Sequence, residues 1–184
     1  MKMNFIYLAI FSAISCTTPK QAFIENTNSS KVMDSNPLQG TWTLKYVLMG
    51  DAMDAPCGFS NEGKVKEMTV NFTSQKFDSG SKKKLHGQAS VNSFMGSYTI
   101  LSYDEKTQSG KLKLDPIVST KMASENPNFM ECENRFLSYL EKSEDFKIEG
   151  GKLQLSKTVS IAKENSGSAP FGESYKSVLY LEKQ

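Results

Sequence analysis

Apolar and polar residues alternate with a period of two along most of this chain. From Leu38 the run Leu38-Gln39-Gly40-Thr41-Trp42-Thr43-Leu44-Lys45-Tyr46-Val47-Leu48 puts Trp42, Leu44, Tyr46 and Leu48 on one face. That is the pattern of a half-buried strand, and it places the single Trp in a core. Met68, Val70 and Phe72 alternate in the same way, followed by a shorter piece at Lys76-Phe77 and a polar turn at Asp78-Ser79-Gly80-Ser81. Leu85 to Val91 predicts another strand, weakened by Gly87. Tyr98 and Ile100 face one way and Thr99 and Leu101 the other, which predicts a strand covered on both sides near its middle. Beyond a polar turn from Asp104 to Gly110, Lys111-Leu112-Lys113-Leu114 pairs back with Leu112 and Leu114 inward. Gly50 to Gly63, with Pro56, Cys57 and Gly58, reads as a long loop.

The period then changes. Cys132, Phe136 and Leu140 recur at helical spacing, with Phe129, Met130 and Leu137 widening the stripe. Asn126-Pro127-Asn128 offers a cap and an N-terminal proline, Glu131 and Glu133 suit the first turns, and Lys142 suits the end. A helix this short is marginal alone in water, so it must lie on the sheet or plug a barrel end. Next comes Phe146-Lys147-Ile148-Glu149-Gly150-Gly151-Lys152-Leu153-Gln154-Leu155, in which two adjacent glycines can both take positive φ. A turn there sets Glu149 opposite Lys152, Ile148 opposite Leu153 and Phe146 opposite Leu155. Thr158 to Ile161 continues that strand, Asn165 to Gly172 is a loop, and Ser177 to Leu181 closes the chain. Without βαβ alternation, the fold is mainly β (α+β): a strongly curved antiparallel sheet or partly closed barrel of about eight strands with one short helix.

Composition adds little to this shape but bounds the partners. With 184 residues, 22 basic and 20 acidic, the net charge of +2 provides no field for nucleic acid. The Lys82-Lys83-Lys84 run reads as a solvated hairpin tip. The N-terminus is more telling: Lys2 precedes an apolar segment from Phe5 to Ile14, too short to span a bilayer and lacking a polar face. It ends in Ala13-Ile14-Ser15-Cys16, which resembles the lipobox of bacterial lipoproteins, with Ala13 where that motif has Leu. The expected organisation is a signal peptide at 1–15, a lipidated Cys16 with a flexible tether over 16–36, and one domain over 37–184.

Within the domain, Asn92-Ser93-Phe94-Met95-Gly96-Ser97-Tyr98 is followed by Ser119-Thr120-Lys121-Met122-Ala123, the helix from Glu131 to Leu140 and the Ile148 to Leu155 hairpin. In this order, after Leu38-Gln39-Gly40-Thr41-Trp42, the set resembles the META domain of HslJ-like bacterial lipoproteins. The resemblance implies a motif of Asn92, Gly96, Tyr98, Thr120, Met122 and Ala123. Physically, Gly96 would permit a bend or bulge, Asn92 would satisfy backbone groups, and Tyr98 would pack with its hydroxyl at an edge. Two family cysteines are replaced, by Val91 and Ser124. Cys57 and Cys132 remain after lipidation of Cys16, an even number that suggests a disulfide between loop and helix, with free buried thiols as the alternative.

Chemistry-bearing patterns are sparse. His86 is the only histidine and has no nucleophile beside it in the sequence. Ser79 to Lys82 and Ser81 to Lys84 have Ser-x-x-Lys spacing but lack companion motifs. No metal-ligand or phosphate-loop pattern is present, and no cofactor is expected. The resemblance implies a non-catalytic envelope lipoprotein, in envelope maintenance or stress tolerance, held by its lipid at a bacterial outer membrane and facing the periplasm. The alternative is a small exported binding module, such as a peptidase inhibitor or a lipocalin-like ligand binder. Expected partners are the membrane and either an envelope protein or a small hydrophobic ligand, with the protein itself monomeric.

Overall fold

The computed structural model describes residues 36–55, 67–160 and 174–184. They form ten strands and one helix: β1 Gly40–Met49, β2 Ala52–Asp54, β3 Thr69–Lys76, β4 Lys83–Gln88, β5 Ser93–Asp104, β6 Ser109–Leu114, β7 Val118–Ser119, α1 Pro127–Glu141, β8 Asp145–Glu149, β9 Lys152–Ser160 and β10 Ser174–Lys183. Hydrogen bonding runs β10-β9-β8-β6-β5-β4-β3-β1, and β1 pairs again with β10, so these strands close into a ring. All pairings are antiparallel, as the lack of βαβ alternation predicts. The two shortest strands were not predicted: β2 pairs with the end of β1 and β7 with the start of β5. The ring is uneven. β6 and β8 share only Ser109 to Lys111 with Asp145 to Lys147, whereas β9 and β10 pair from Lys152 to Ser160.

A ring of this size is about wide enough for its own side chains to fill. Trp42, Phe72, Leu85, Tyr98, Leu112 and Leu155 occupy it, each fully buried. The β8–β9 hairpin has the predicted register, Glu149 opposite Lys152 and Phe146 opposite Leu155, with Gly150 at φ +56° and Gly151 at φ +77°. Gly87 has a different reason. A Cβ there would lie 2.0 Å from the Thr69 carbonyl oxygen and 2.5 Å from the Phe94 ring, so its missing side chain lets β4 approach both.

β1 departs from the expected face. Its register with β10 shifts between Leu44 and Tyr46, and an extra residue in a strand moves everything beyond it to the opposite side. Trp42 therefore points inward before the irregularity and Val47 after it, both buried. Tyr46 stacks on Tyr180 with ring centroids 4.6 Å apart. Gly96, by contrast, makes no bulge, since β4 and β5 pair in unbroken register from Lys83–Tyr98 to Gln88–Ser93.

α1 lies across the end of the ring where β1 finishes and β4 turns into β5. Cys132, Phe136 and Leu140 are buried there, as their spacing predicts. Phe136 meets Phe94 edge to face at 5.9 Å, the Tyr139 hydroxyl lies 2.8 Å from Met49 Sδ, and Ser90 Oγ donates to the Phe129 carbonyl at 2.6 Å. Asn126 caps the helix by accepting from Asn128 N at 3.0 Å. Glu131 and Glu133 fall beyond the first turn, so neither acts as a dipole-stabilising acid there. At the strand ends away from α1, Leu38 is fully buried, and its carbonyl accepts from Trp42 Nε1 at 2.7 Å. No helix among the described residues is long and apolar enough to cross a membrane.

Candidate functional site

Polar side chains concentrate at several places among the described residues. The first is built around Asn92, in the β4–β5 turn, where Ala89 N donates to the Asn92 carbonyl at 2.8 Å. Glu133 comes inward from α1, only 2% exposed. One carboxyl oxygen accepts from Val91 N at 2.9 Å and Asn92 N at 2.8 Å, and the other from Asn92 Nδ2 at 2.7 Å. Asn92 Oδ1 accepts from Thr120 Oγ1 at 2.8 Å and Met122 N at 2.7 Å, while Nδ2 also donates to the Met122 carbonyl at 3.1 Å. Every hydrogen-bonding group of Asn92, backbone and side chain, is thus engaged within the protein. The knot fastens turn, helix and the segment after β7 to one another.

Of the motif residues, this knot brings together Asn92, Thr120 and the backbone of Met122. The Met122 side chain and Ala123 are exposed, and Gly96 and Tyr98 lie further along β5. Tyr98 belongs to a separate network in the barrel interior, not at an edge. Its hydroxyl donates to the Thr73 carbonyl at 2.8 Å and accepts from Asn36 Nδ2 at 2.6 Å. Burial pushes its pKa up to about 12, with the Asn36 hydrogen bond acting in the opposite direction.

Glu133, expected in the first turns of the helix, is instead the buried carboxyl group of the knot. It lies three and seven residues before Phe136 and Leu140, hence on the buried arc of the helix. A carboxyl group on such an arc requires internal partners, and that requirement was the available signal.

The second place is a groove of about 760 Å³ on the outer face of β4 and β5, bounded by β7 and the residues preceding it. Register puts His86 beside Met95, Lys84 beside Ser97, and Met95 beside Val118. Here Asp115 accepts from Ser97 Oγ and pairs with Lys82 Nζ at 3.0 Å. The Ser97 hydrogen bond, then Lys82, holds the Asp115 carboxyl below its usual range, and Asp115 raises Lys82 in return. A raised lysine stays protonated and does not serve as a base for Ser97. The lysine run is not a hairpin tip: the bend spans 77–81, and Lys83 and Lys84 belong to β4.

Among the described residues no group of three His, Cys, Asp or Glu side chains is placed to hold a metal ion. Cys132 is buried with Sγ 3.2 Å from the Phe129 carbonyl oxygen. Cys57, its expected partner, lies outside the described residues, and so do Cys16 and the boundaries drawn around it.

These features define a class: a small antiparallel barrel with a packed interior, an end covered by one helix, and a buried Asn–Glu knot joining the two. The META domain family model matches residues 36–166, and the chain belongs to that family. An NMR structure of a protein from Burkholderia xenovorans is similar in fold, with a TM-score of 0.50 and 17% identity over 97% of this chain and 99% of that one. No curated protein matches the chain.

Proposed function

We propose that this META-domain protein is a non-catalytic lipoprotein of the bacterial envelope, anchored through Cys16 and acting in envelope maintenance or stress tolerance. The observation that carries the non-catalytic reading is the saturation of the motif. Asn92 and Glu133 spend their polar atoms on backbone, on the Thr120 hydroxyl and on each other, leaving none to polarise a substrate. The lipobox-like run before Cys16 and the apolar Phe5 to Ile14 segment support anchoring. In cells given labelled palmitate, wild type is expected to take up label and to fractionate with outer membranes, and Cys16→Ala to do neither. Label persisting in Cys16→Ala would contradict the anchor. In the same preparation, non-reducing mass mapping is expected to recover Cys57 joined to Cys132, and two free thiols would remove the disulfide.

The outer groove favours a second reading, an exported binding module. The filled barrel interior argues against the lipocalin-like form of it, because a ligand there would have to displace Trp42, Phe72 and Tyr98. A ligand of this chain is better accommodated outside the barrel.

A further inference from the structure

We infer that the groove on β4 and β5 binds a single-chain anionic amphiphile, a carboxylate or phosphate head on one alkyl tail. Its apolar walls are unusually open: Phe77 is 56% exposed, Met95 66% and Val118 68%, all lining one concavity. Scattered exposed apolar residues need no explanation, but side chains gathered in one groove do. At about 760 Å³ the space falls in the range of small-ligand sites, roughly 300–1,000 Å³, and is concave where a bilayer or protein face would meet a broader surface.

Charge selects the head group. Lys84 and His86 lie on one face of β4, Lys82 immediately precedes that strand, and all three border the apolar walls. Asp115 is the one carboxylate among the described residues lining the groove, and it is already engaged by Ser97 and Lys82. Lys84 has no acidic partner within 4.0 Å among the described residues, so its ammonium is available to a ligand. An anionic head at Lys84 and His86 leaves the tail to run along Met95, Val118 and Phe77. A cationic amphiphile would meet uncompensated positive charge in the same place. The groove would bind such a ligand wherever the protein resides, so failure of the envelope assignment and failure of this one are distinguishable.

Residue-resolved NMR of the ¹⁵N-labelled full chain tests this with dodecanoate, dodecyltrimethylammonium and dodecyl maltoside, each below its micelle concentration. Following individual amides separates the groove from the apolar Phe5 to Ile14 segment. Dodecanoate is expected to shift Lys84, His86, Met95, Ser97 and Val118 saturably, and to bind at least fivefold more tightly than the other two. Lys84→Glu and Met95→Glu, both at exposed positions, are each expected to raise its Kd at least fivefold while leaving the rest of the spectrum in place. Absence of saturable shifts at the groove overturns the inference. So does equal or tighter binding of the neutral or cationic amphiphile, which would make the groove a merely apolar or oppositely selective surface. So does an unchanged Kd in Lys84→Glu.

Discussion

The Asn92–Glu133 knot and the β4–β5 groove are both polar clusters beside apolar walls, yet they are opposites in how their polar atoms are spent. In the knot, buried donors and acceptors close on one another, and Glu133 is 2% exposed. In the groove, only the Ser97–Asp115–Lys82 corner is closed, while Lys84 and His86 face solvent. A buried polar group without partners costs stability, so a satisfied buried cluster is what structure requires. An unpaired charge beside exposed apolar side chains contributes nothing to folding and is free to recognise something. The Asn92 and Thr120 part of the family motif therefore reports the fold, and the groove, to which the motif contributes Gly96, is where binding is sought.

The largest effect on the knot is expected at Glu133. Glu133→Ala leaves the N–H groups of Val91 and Asn92 and one Asn92 amide donor without acceptors, each worth about 1–3 kcal/mol when buried. Urea unfolding is expected to show a loss of about 3 kcal/mol or more, and a loss under about 1 kcal/mol would mean that water replaces the carboxyl group.

Tyr98→Phe should cost less, about 1–2 kcal/mol, because Thr73 O keeps the Asn36 amide at 3.2 Å. Its signature is in pH. Tyr98 titrates near 12 when folded, against an ordinary value of 10.0, so the unfolded chain releases that proton first. The associated stability is fully present below pH 10 and is lost as pH rises through 12. Unfolding curves across this window should fall for wild type and be flatter for Tyr98→Phe.

The smallest effect is expected at Gly96. A Cβ there would meet Ile117 Cγ1 at 3.5 Å, an ordinary contact. Gly96→Ala should alter stability by no more than about 0.5 kcal/mol, read by the same unfolding curves. A large loss would move Gly96 into the structural set with Asn92.

Much of this was legible from alternation alone. Met68, Val70 and Phe72, Leu112 and Leu114, and the Gly150-Gly151 hairpin obey period two and lie where it puts them. What failed was strand pairing that no turn signal in the sequence announces. The irregularity between Leu44 and Tyr46 is set by pairing with β10, more than a hundred residues away, and local pattern carries no trace of it. The groove exists because register puts Lys84 beside Ser97 and His86 beside Met95, so a lysine run read by itself resembles a turn. Glu133 falls between: its position on the helical arc was readable, but its partner in the β4–β5 turn was not.

Whether Asn92 and Glu133 act as one structural unit is decided by a double-mutant cycle between them. Asn92→Ala, Glu133→Ala and the double variant would be compared by urea unfolding, with dodecanoate binding at the groove followed alongside. Two residues acting as one knot are expected to couple by about 1–3 kcal/mol while groove affinity stays unchanged. Additive losses within about 0.5 kcal/mol, or a groove that empties when the knot is cut, would contradict a purely structural motif.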